Sequence, residues 1–440
     1  VSVSGDRDAG VPATSRRGYT PGQPVSNRAE LVSLQLVNDD LSEGIFTAQI
    51  FYNRTRFIFG GGIYRVLQDS AIDPSNNLFD QTQSESTKFG AKLSYERELV
   101  DDITVTVGFD SLFNNAQQDL IQTGRYWAPE VDFQSRAPFV QLNWGLFDRL
   151  VTVAAGVRHE NVELEVDDYV TLASYGGHSV LGGSPTFKEL LPNAGIIVEP
   201  IENLRFYASY AEGYTVPDVG RVLRGVNVPG IDVDNFLDLT PVISDNREIG
   251  VEMQQGIFDI SLTHFWSTSK LGQRLVLNSD GIYDIRREPT EIKGLELNLG
   301  VETPISGLKL SLGYTRLSGR VDTDADNKVD ADLDGGNISP DRVNLSADYI
   351  NGPLAVSLQG QYYLSRSFDG QPDSADFEGY EIYNGLIRYE TDYGAFSLAA
   401  YNLLNEYYVT YNSDTVRTNS DSRFYSGRGR TLTLGWDWNF

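Results

Sequence analysis

The sequence predicts an all-β protein, and specifically a transmembrane antiparallel β-barrel. Three features indicate this fold: alternating apolar and polar residues, two classes of connection, and the C-terminal segment. Residues 431–440 read T-L-T-L-G-W-D-W-N-F, with an apolar side chain at every second position. A soluble protein seldom ends on a strand with one exposed aromatic face, because such a strand invites aggregation. In a barrel, lipid covers that face and the aromatic rings sit at the membrane interface.

The same alternation recurs along the chain and predicts most of the strands. In segments 103–110, 308–315 and 354–362, apolar residues alternate with small, polar or charged ones. One apolar and one polar face on each strand suits a barrel with lipid outside and a polar lumen inside. A soluble β-sandwich gives the same local pattern, so the connections and the C-terminal strand decide between the two folds.

The predicted connections are of two kinds, which alternate along the chain. Short turns are expected near residues 38–43, 99–102, 147–150, 199–203, 255–258, 303–307, 350–353 and 392–394. Long segments rich in Gly, Asp and Ser are expected near residues 66–84, 115–134, 166–184, 217–242, 321–340, 366–378 and 409–424. Short periplasmic turns and long extracellular loops give this arrangement in outer-membrane barrels.

The connections predict about eight hairpins and a final strand, or about 17 strands. An odd number cannot close a bacterial barrel whose two termini face the periplasm. We therefore expect additional N-terminal strands, with the chain starting in an outer loop at 1–28 and first descending at 29–38. Segment 1–28 has no signal-peptide pattern, so we expect a mature, trimmed or truncated chain. The alternative is that this strand count is wrong by one and that the chain closes as a smaller barrel.

Composition excludes several classes of function. The chain has no cysteine, and hence no disulfide or thiolate site, and its net charge of −26 argues against nucleic-acid binding. It lacks the H-E-x-x-H, G-x-S-x-G and phosphate-loop patterns. His159 and His264 lie within alternating strands and are expected to be structural. We expect no enzyme and no cofactor, although a Ser or carboxylate on a barrel wall leaves an outer-membrane enzyme open.

Six segments resemble one family of membrane proteins. They are L-P-N-A-G-I-I-V-E-P (191–200), L-R-F-Y-A-S-Y-A-E-G-Y-T-V-P (204–217), N-R-E-I-G-V-E (246–252), I-K-G-L-E-L (292–297), Y-N-L-L-N-E-Y-Y (401–408) and G-R-G-R-T-L-T-L-G-W-D-W-N-F (427–440). In this order they resemble a mid-barrel hairpin, two later strands, the penultimate-strand motif and the final strand of TonB-dependent outer-membrane receptors. The resemblance covers roughly residues 85–440 and matches the C-terminal two-thirds of that family.

This resemblance implies a receptor in the outer membrane of a Gram-negative bacterium. The family has barrels of about 22 strands around an N-terminal plug that carries the energy-coupling box. Residues 1–440 would then be one barrel domain with the plug and the first strands absent. The implied partners are a ferric siderophore, the TonB–ExbB–ExbD complex acting through the missing region, and outer-membrane lipid and lipopolysaccharide. The G-R-G-R ending favours a siderophore cargo; the alternatives are cobalamin, an oligosaccharide, or a passive porin-like channel.

A ferric siderophore brings its own metal ligands, so its receptor needs aromatic walls and basic groups. Such groups are expected in outer loops or at the lumen-facing strand ends near them. The candidate ligand-binding residues are Arg125, Tyr126, Trp127, Tyr175, His178, Arg221, Arg224, Arg423 and Tyr425. Arg125, Tyr126 and Trp127 form the most compact group, for which an interfacial aromatic belt is the alternative explanation. The others are equally compatible with solvated loop residues.

One acidic loop resembles a calcium site. Asp322, Asp324, Asp326 and Asp330 follow the 1, 3, 5, 9 spacing of an EF-type loop. Asn327 replaces the turn glycine and Leu333 stands where a bidentate Glu belongs, so the match is incomplete. These four residues are a weak calcium candidate, and a solvated acidic outer loop is the better interpretation.

Overall fold

The computed structural model describes six stretches of the chain. They are residues 21–236, 239–277, 283–326, 328–369, 376–415 and 424–438. All structural statements below concern these residues. Within them neither helix combines the length and the apolar character needed to cross a lipid bilayer.

Twenty strands account for most of the described chain. In order they are β1 (Ser26–Leu41), β2 (Gly44–Ile58), β3 (Thr82–Val100), β4 (Ile103–Leu120), β5 (Tyr126–Leu146), β6 (Val151–Glu165), β7 (Tyr169–Val170), β8 (Ser179–Val180), β9 (Thr186–Ile201), β10 (Leu204–Thr215), β11 (Val242–Gln255), β12 (Phe258–Leu277), β13 (Tyr283–Glu302), β14 (Leu308–Val321), β15 (Ala331–Asp332), β16 (Arg342–Asn351), β17 (Leu354–Tyr363), β18 (Tyr380–Thr391), β19 (Gly394–Tyr401) and β20 (Thr431–Asp437). Two short helices, α1 (Val219–Arg224) and α2 (Tyr411–Thr415), lie between strands. Apart from the two-residue strands β7, β8 and β15, seventeen strands remain, as predicted.

The long strands form one antiparallel sheet in which each pairs with its neighbours along the chain. β1 pairs with β2, the pairing continues strand by strand, and β19 pairs with β20. Among the described residues no pairing joins β1 to β20, so the sheet has an open edge at each of these strands. In the described part of the chain the sheet is thus open, unlike the smaller closed barrel considered as the alternative.

The sheet curves around α1, which identifies its inner face. α1 contacts β4 and β5 and also β13, although several strands separate β5 from β13 in the sheet. A short helix can touch such distant strands only from inside the curve. Directly paired residues point to the same side of a sheet, so the inner face can be followed from strand to strand. We call this inner face the lumen face and the opposite face the outward face.

The C-terminal strand has the predicted orientation. Strand pairings can be followed from Arg158 on β6, which lies on the lumen face, around the sheet to Ser397 on β19. Ser397 pairs with Gly435, so Gly435 also lies on the lumen face. Leu432, Leu434, Trp436 and Trp438 alternate with it and lie on the outward face, where they are 54–83% exposed. Lipid is the natural partner for such a face, because no protein group covers it.

One predicted connection differs from the one found, and one connection was not predicted. Segment 115–134 was expected to be a long loop, but β4 continues to Leu120 and β5 begins at Tyr126, so residues 121–125 make the connection. The polar composition of segment 115–134 suggested a loop. However, the part of a strand that projects beyond the membrane meets water on its outer side, so it needs no apolar face there. The prediction also missed the connection between β12 and β13, which lies at 278–282, outside the described residues.

The buried core lies in the outer loops rather than between strands. One apolar cluster joins β5, β6, the 166–185 loop and α1, and includes Val162, Leu164, Leu223 and Leu239. A second joins β14 to the later loops around Phe368, Phe377 and Tyr411, and a third packs Leu67, Leu120 and Leu172 together. The loops therefore have fixed positions over the lumen.

Candidate functional site

A cavity of about 1010 Å³ lies between α1 and the lumen face of β2–β6. Its size is that of a large ligand pocket. Aromatic side chains form much of the wall, and they are Phe51, Phe57, Phe59, Phe133 and Tyr214. Phe51, Phe57 and Phe133 reach the cavity because period-two alternation sends every second side chain of β2 and β5 to the lumen.

Two lysines on β3 bring positive charge to this wall. Lys88 and Lys92 both line the cavity, and both are exposed to it. Neither ammonium has a carboxylate within ion-pair distance in the described part of the chain. An ammonium without an ion pair in such a cavity is available to an anionic ligand.

A further cation in the wall, Arg158, is paired with carboxylates of the protein. The Arg158 guanidinium lies 2.7 Å from the Asp110 carboxylate and also donates to Glu160. The second oxygen of Glu160 accepts a hydrogen bond from the Ser135 hydroxyl at 3.0 Å. Arg158 therefore links β4, β5 and β6, and on these strands Lys88 and Lys92 are the cations that line the cavity without an ion pair among the described residues.

α1 forms one side of the cavity and is held by two hydrogen bonds. The Asp218 side chain caps its first turn by accepting from the Arg221 backbone N–H at 3.0 Å. The Tyr169 hydroxyl donates to the carbonyl of Leu223 at 2.8 Å. Burial raises the pKa of Tyr169, so this phenol stays protonated and remains a donor throughout the physiological pH range.

Among the residues predicted from sequence, Arg221, Arg224 and Trp127 lie closest to the cavity. Arg221 and Arg224 line it, and the Arg224 guanidinium sits 5.0 Å from the centre of the Trp127 ring. This cation–π contact buries Arg224, which is 8% exposed. Arg221 stays partly exposed beside Asp218, at 3.5 Å.

Arg125 has a different environment from the one expected. Its guanidinium donates to the carbonyl of Leu67 at 2.8 Å and to Thr123, and lies 3.4 Å from the buried Asp80 carboxylate and 3.7 Å from Asp69. These contacts fasten the 59–81 loop to the β4–β5 connection. Arg125 does not line the cavity, and neither does Tyr126, which is 44% exposed on the outward face.

The remaining loop candidates are spread over the outer surface. Tyr175 packs with Trp127 against the cluster around Leu67, and the His178 ring lies 3.1 Å from the Asn227 carbonyl. Tyr425 is 42% exposed, and none of these side chains lines the cavity. Arg423 lies outside the described residues. A ligand role for them stays a prediction.

Replacing Arg125 with Ala is expected to loosen the 59–81 loop. Asp80 has no exposed surface, so its carboxylate would lose its cationic neighbour while remaining buried. Breaking such a pair costs about 3 kcal/mol. Amide hydrogen exchange over residues 59–81 should therefore accelerate strongly. Tyr126→Ala is the control and should leave amide exchange in this loop unchanged. Equal exchange rates of the loop in the two variants would show that Arg125 does not hold it.

Sequence reasoning missed the lysines and most of the aromatic wall. It searched for ligands in the outer loops, whereas Lys88, Lys92, Phe51 and Phe133 are strand residues that point into the lumen. A usable signal was present, because Lys88 and Lys92 lie four residues apart on one face of β3, and the apolar residues Phe89 and Leu93 lie on the outward face. Only the position of α1 shows that these strand positions share one cavity.

The acidic loop partly resembles the predicted calcium site. Carboxylate oxygens of Asp322, Asp324 and Asp326 lie within 4.8 Å of one another. Asp330 is not part of this group, and the Lys328 ammonium already lies 2.6 Å from the Asp326 carboxylate. Calcium binding here stays a prediction, which a calcium titration of the protein would test.

An antiparallel sheet that curves around a lumen, with outer loops packed over it and a large side cavity, is the architecture of an outer-membrane β-barrel. Residues 2–403 match the family described as TonB dependent receptor-like, beta-barrel. The chain belongs to this family.

Relatives of known function are distant in sequence. The chain is 22% identical over 408 residues to the ferric aerobactin receptor of Klebsiella pneumoniae, covering 81% of this chain and 54% of that protein. It is 21% identical over 468 residues to the rhizobactin receptor of Rhizobium meliloti (strain 1021), covering 96% and 60%. The chain thus spans little more than half the length of the curated relatives it matches.

Solved structures have the same fold. The copper transporter OprC superimposes with a TM-score of 0.75 at 14% identity, over 92% of this chain and 64% of that one. The ferric yersiniabactin uptake receptor FyuA from Yersinia pestis gives a TM-score of 0.69 at 15% identity, over 98% and 64%. At this identity the similarity defines the fold and leaves the cargo open.

Proposed function

We propose that the protein containing this chain is an outer-membrane receptor for the TonB-dependent import of a ferric siderophore. Family membership supports the transport class, and the names of the aerobactin and rhizobactin receptors support the cargo class. The observation that carries the proposal is the lumen cavity, with aromatic walls and two lysines that have no ion pair among the described residues. Aromatic rings suit the organic scaffold of a chelate, and lysines suit its negative charge.

In this proposal the cargo binds between β2–β6 and α1. Phe51, Phe57 and Phe133 contact the scaffold, while Lys88 and Lys92 bind anionic oxygens. Lys88 and Lys92 lie four residues apart on one face of β3, which is a backbone separation of about 13 Å, so the two ammonium groups can engage separate anionic groups of one bulky ligand. Arg221 and Arg224 lie at the rim of the site. The other loop residues predicted from sequence are proposed to contact the cargo only before it reaches the cavity.

The proposed partners follow from the same function. The TonB–ExbB–ExbD complex would supply energy through a region of the protein outside this chain. Lipid and lipopolysaccharide surround the outward face, and neither nucleic acid nor an enzymatic reaction forms part of the proposal. The chelate carries its own iron, so no resident cofactor is required.

Two cargo alternatives and one passive function compete with this proposal. Cobalamin or an oligosaccharide would use the same energy coupling, but neither explains two unpaired lysines as well as an anionic chelate does. A passive porin-like channel is disfavoured, because family membership points to a receptor and because α1 occupies part of the lumen.

Deleting the gene is expected to abolish growth on one ferric siderophore as sole iron source. Growth on ferric chelates taken up by other receptors should continue, which serves as the control. The purified full-length protein should bind the same chelate in an equilibrium titration, and should not bind cobalamin or a neutral oligosaccharide. Normal growth of the deletion strain on every single chelate would rule out siderophore import.

A further inference from the structure

Successive lumen-facing residues of β3 form a cation–glycine–cation sequence beside the cavity. They are Lys88, Gly90 and Lys92, which share one face because alternate residues of a strand point the same way. Both lysines are exposed, whereas Gly90 is buried. Another group must therefore cover Gly90, and that group lies between the two lysines.

The Phe51 ring is the group that covers Gly90. Phe51 is the direct partner of Gly90 on β2, and its side chain lines the cavity. A methyl group at Gly90 would overlap carbon atoms of this ring, so the ring lies against the β3 backbone in space that any other side chain would fill. Gly90 does not have a positive φ, so the strand needs glycine here for space and not for its backbone conformation.

Strand pairing places the ring in an apolar row between two polar rows. Phe51, Gly90 and Leu112 form the apolar row across β2, β3 and β4. The polar rows on its two sides consist of Asn53, Lys88 and Asn114, and of Gln49, Lys92 and Asp110. Asp110 is the one carboxylate in these rows, and its partner is the Arg158 guanidinium at 2.7 Å. This part of the cavity wall is therefore flat and uncharged in the middle, with an ammonium group on either side.

A glycine under an aromatic ring is not by itself a ligand site, because the lumen face has the same packing elsewhere. Phe265 on β12 covers Gly294 on β13 in the same way. The lumen-facing residues on either side of Gly294 are Ile292 and Glu296, and this pair lies outside the cavity. The pair on β2 and β3 differs in having a lysine on each side and in lying at the cavity, so it suits a ligand with two negative charges.

We propose that the Phe51 ring, held flat by Gly90, selects a chelate that carries a flat, uncharged segment between two anionic groups. The ring face stacks on the flat segment, and Lys88 and Lys92 bind the anionic groups at its two ends. The backbones of the two lysines are about 13 Å apart, which sets the scale of such a ligand. A compact chelate with its charge at the centre would place that charge over the negative face of the ring, which disfavours binding. This inference rests on the proposed function and narrows its cargo class.

The test uses two synthetic probes and the purified full-length protein, with affinities measured by saturation-transfer NMR. Biphenyl dicarboxylate has flat rings between its carboxylates, and dodecanedioate has a flexible alkane chain between them. Phe51→Leu retains an apolar side chain but removes the ring face, so it should weaken binding of biphenyl dicarboxylate about tenfold. The affinity for dodecanedioate should stay within about twofold, because an alkane chain contacts Leu as well as Phe.

Gly90→Ala tests whether the glycine holds the ring in place. Its methyl group should displace the Phe51 ring and weaken binding of biphenyl dicarboxylate by a similar factor. In the Phe51→Leu background the same substitution should have no further effect, because no ring is left to displace. Gly294→Ala is the matched control, since it displaces Phe265 outside the cavity and should leave the affinity unchanged. Heat-modifiable gel mobility checks that every variant is folded.

Several outcomes would overturn the proposal. They are no binding of biphenyl dicarboxylate to the wild type, unchanged affinity for it in Phe51→Leu, an equal loss of affinity for both probes in that variant, and an equal effect of Gly90→Ala with and without the Phe51 ring. Equal affinity of the wild type for biphenyl dicarboxylate and biphenyl monocarboxylate would exclude binding by two lysines. Failure of the transport proposal appears separately, as normal growth of the deletion strain on every single chelate.

Discussion

Expressed alone, residues 1–440 are expected to give no compact, heat-modifiable band on a gel in detergent. The sheet has open edges at β1 and β20, and β1 alone presents a strand of 16 residues. Each unpaired backbone group in hydrocarbon costs several kcal/mol, so a membrane would not tolerate such edges. The isolated chain should therefore aggregate or stay protease-sensitive, and gel mobility before and after boiling would show it.

The control is the full-length protein prepared in the same way. It should supply strands that pair with both edges and should give the compact band, whether or not the segment that fills the lumen is retained. A compact monomeric band from residues 1–440 alone would contradict the prediction, and would mean that β1 and β20 can pair with each other.

Replacing both Lys88 and Lys92 with Gln is expected to weaken binding of an anionic ferric chelate about 100-fold. Each lysine is free of ion pairs among the described residues, so each can give a charge-assisted hydrogen bond. Such bonds are worth about 1.5–3 kcal/mol each, and 1.4 kcal/mol corresponds to a factor of ten. An equilibrium titration of the full-length variant would measure the change.

Lys309→Gln provides the matched control for this experiment. Lys309 also points into the lumen, but it lies at the periplasmic end of β14, far along the sheet from the cavity. Its replacement should leave the affinity unchanged. If the double variant and the control bind equally well, β3 does not form part of the cargo site.

The strands and their faces could be predicted because they depend on local physics. Alternation has the period of the strand itself, so Trp436 and Leu434 were assigned correctly to the outward face from sequence alone. The number of strands followed from the turns, whose tight geometry requires short, polar or glycine-rich segments. The open edges were then predicted because an odd number of strands cannot close a barrel of this kind.

The site could not be predicted because it depends on contacts between distant segments. Arg125 has the composition of a ligand group, with two aromatic neighbours, yet its partner Asp80 is 45 residues earlier in the chain. Nothing near Arg125 in sequence indicates that this charge is already satisfied. In the same way, Lys88 becomes part of a cavity only because α1, over 120 residues later, folds back against β4 and β5.

α1 contacts both β5 and β13, so it lies across the lumen beside the cavity. Under the proposed function, the part of a bound chelate that faces α1 has little room for added groups. For the design of chelate–antibiotic conjugates this favours attachment points on the side of the chelate that faces β2 and β3.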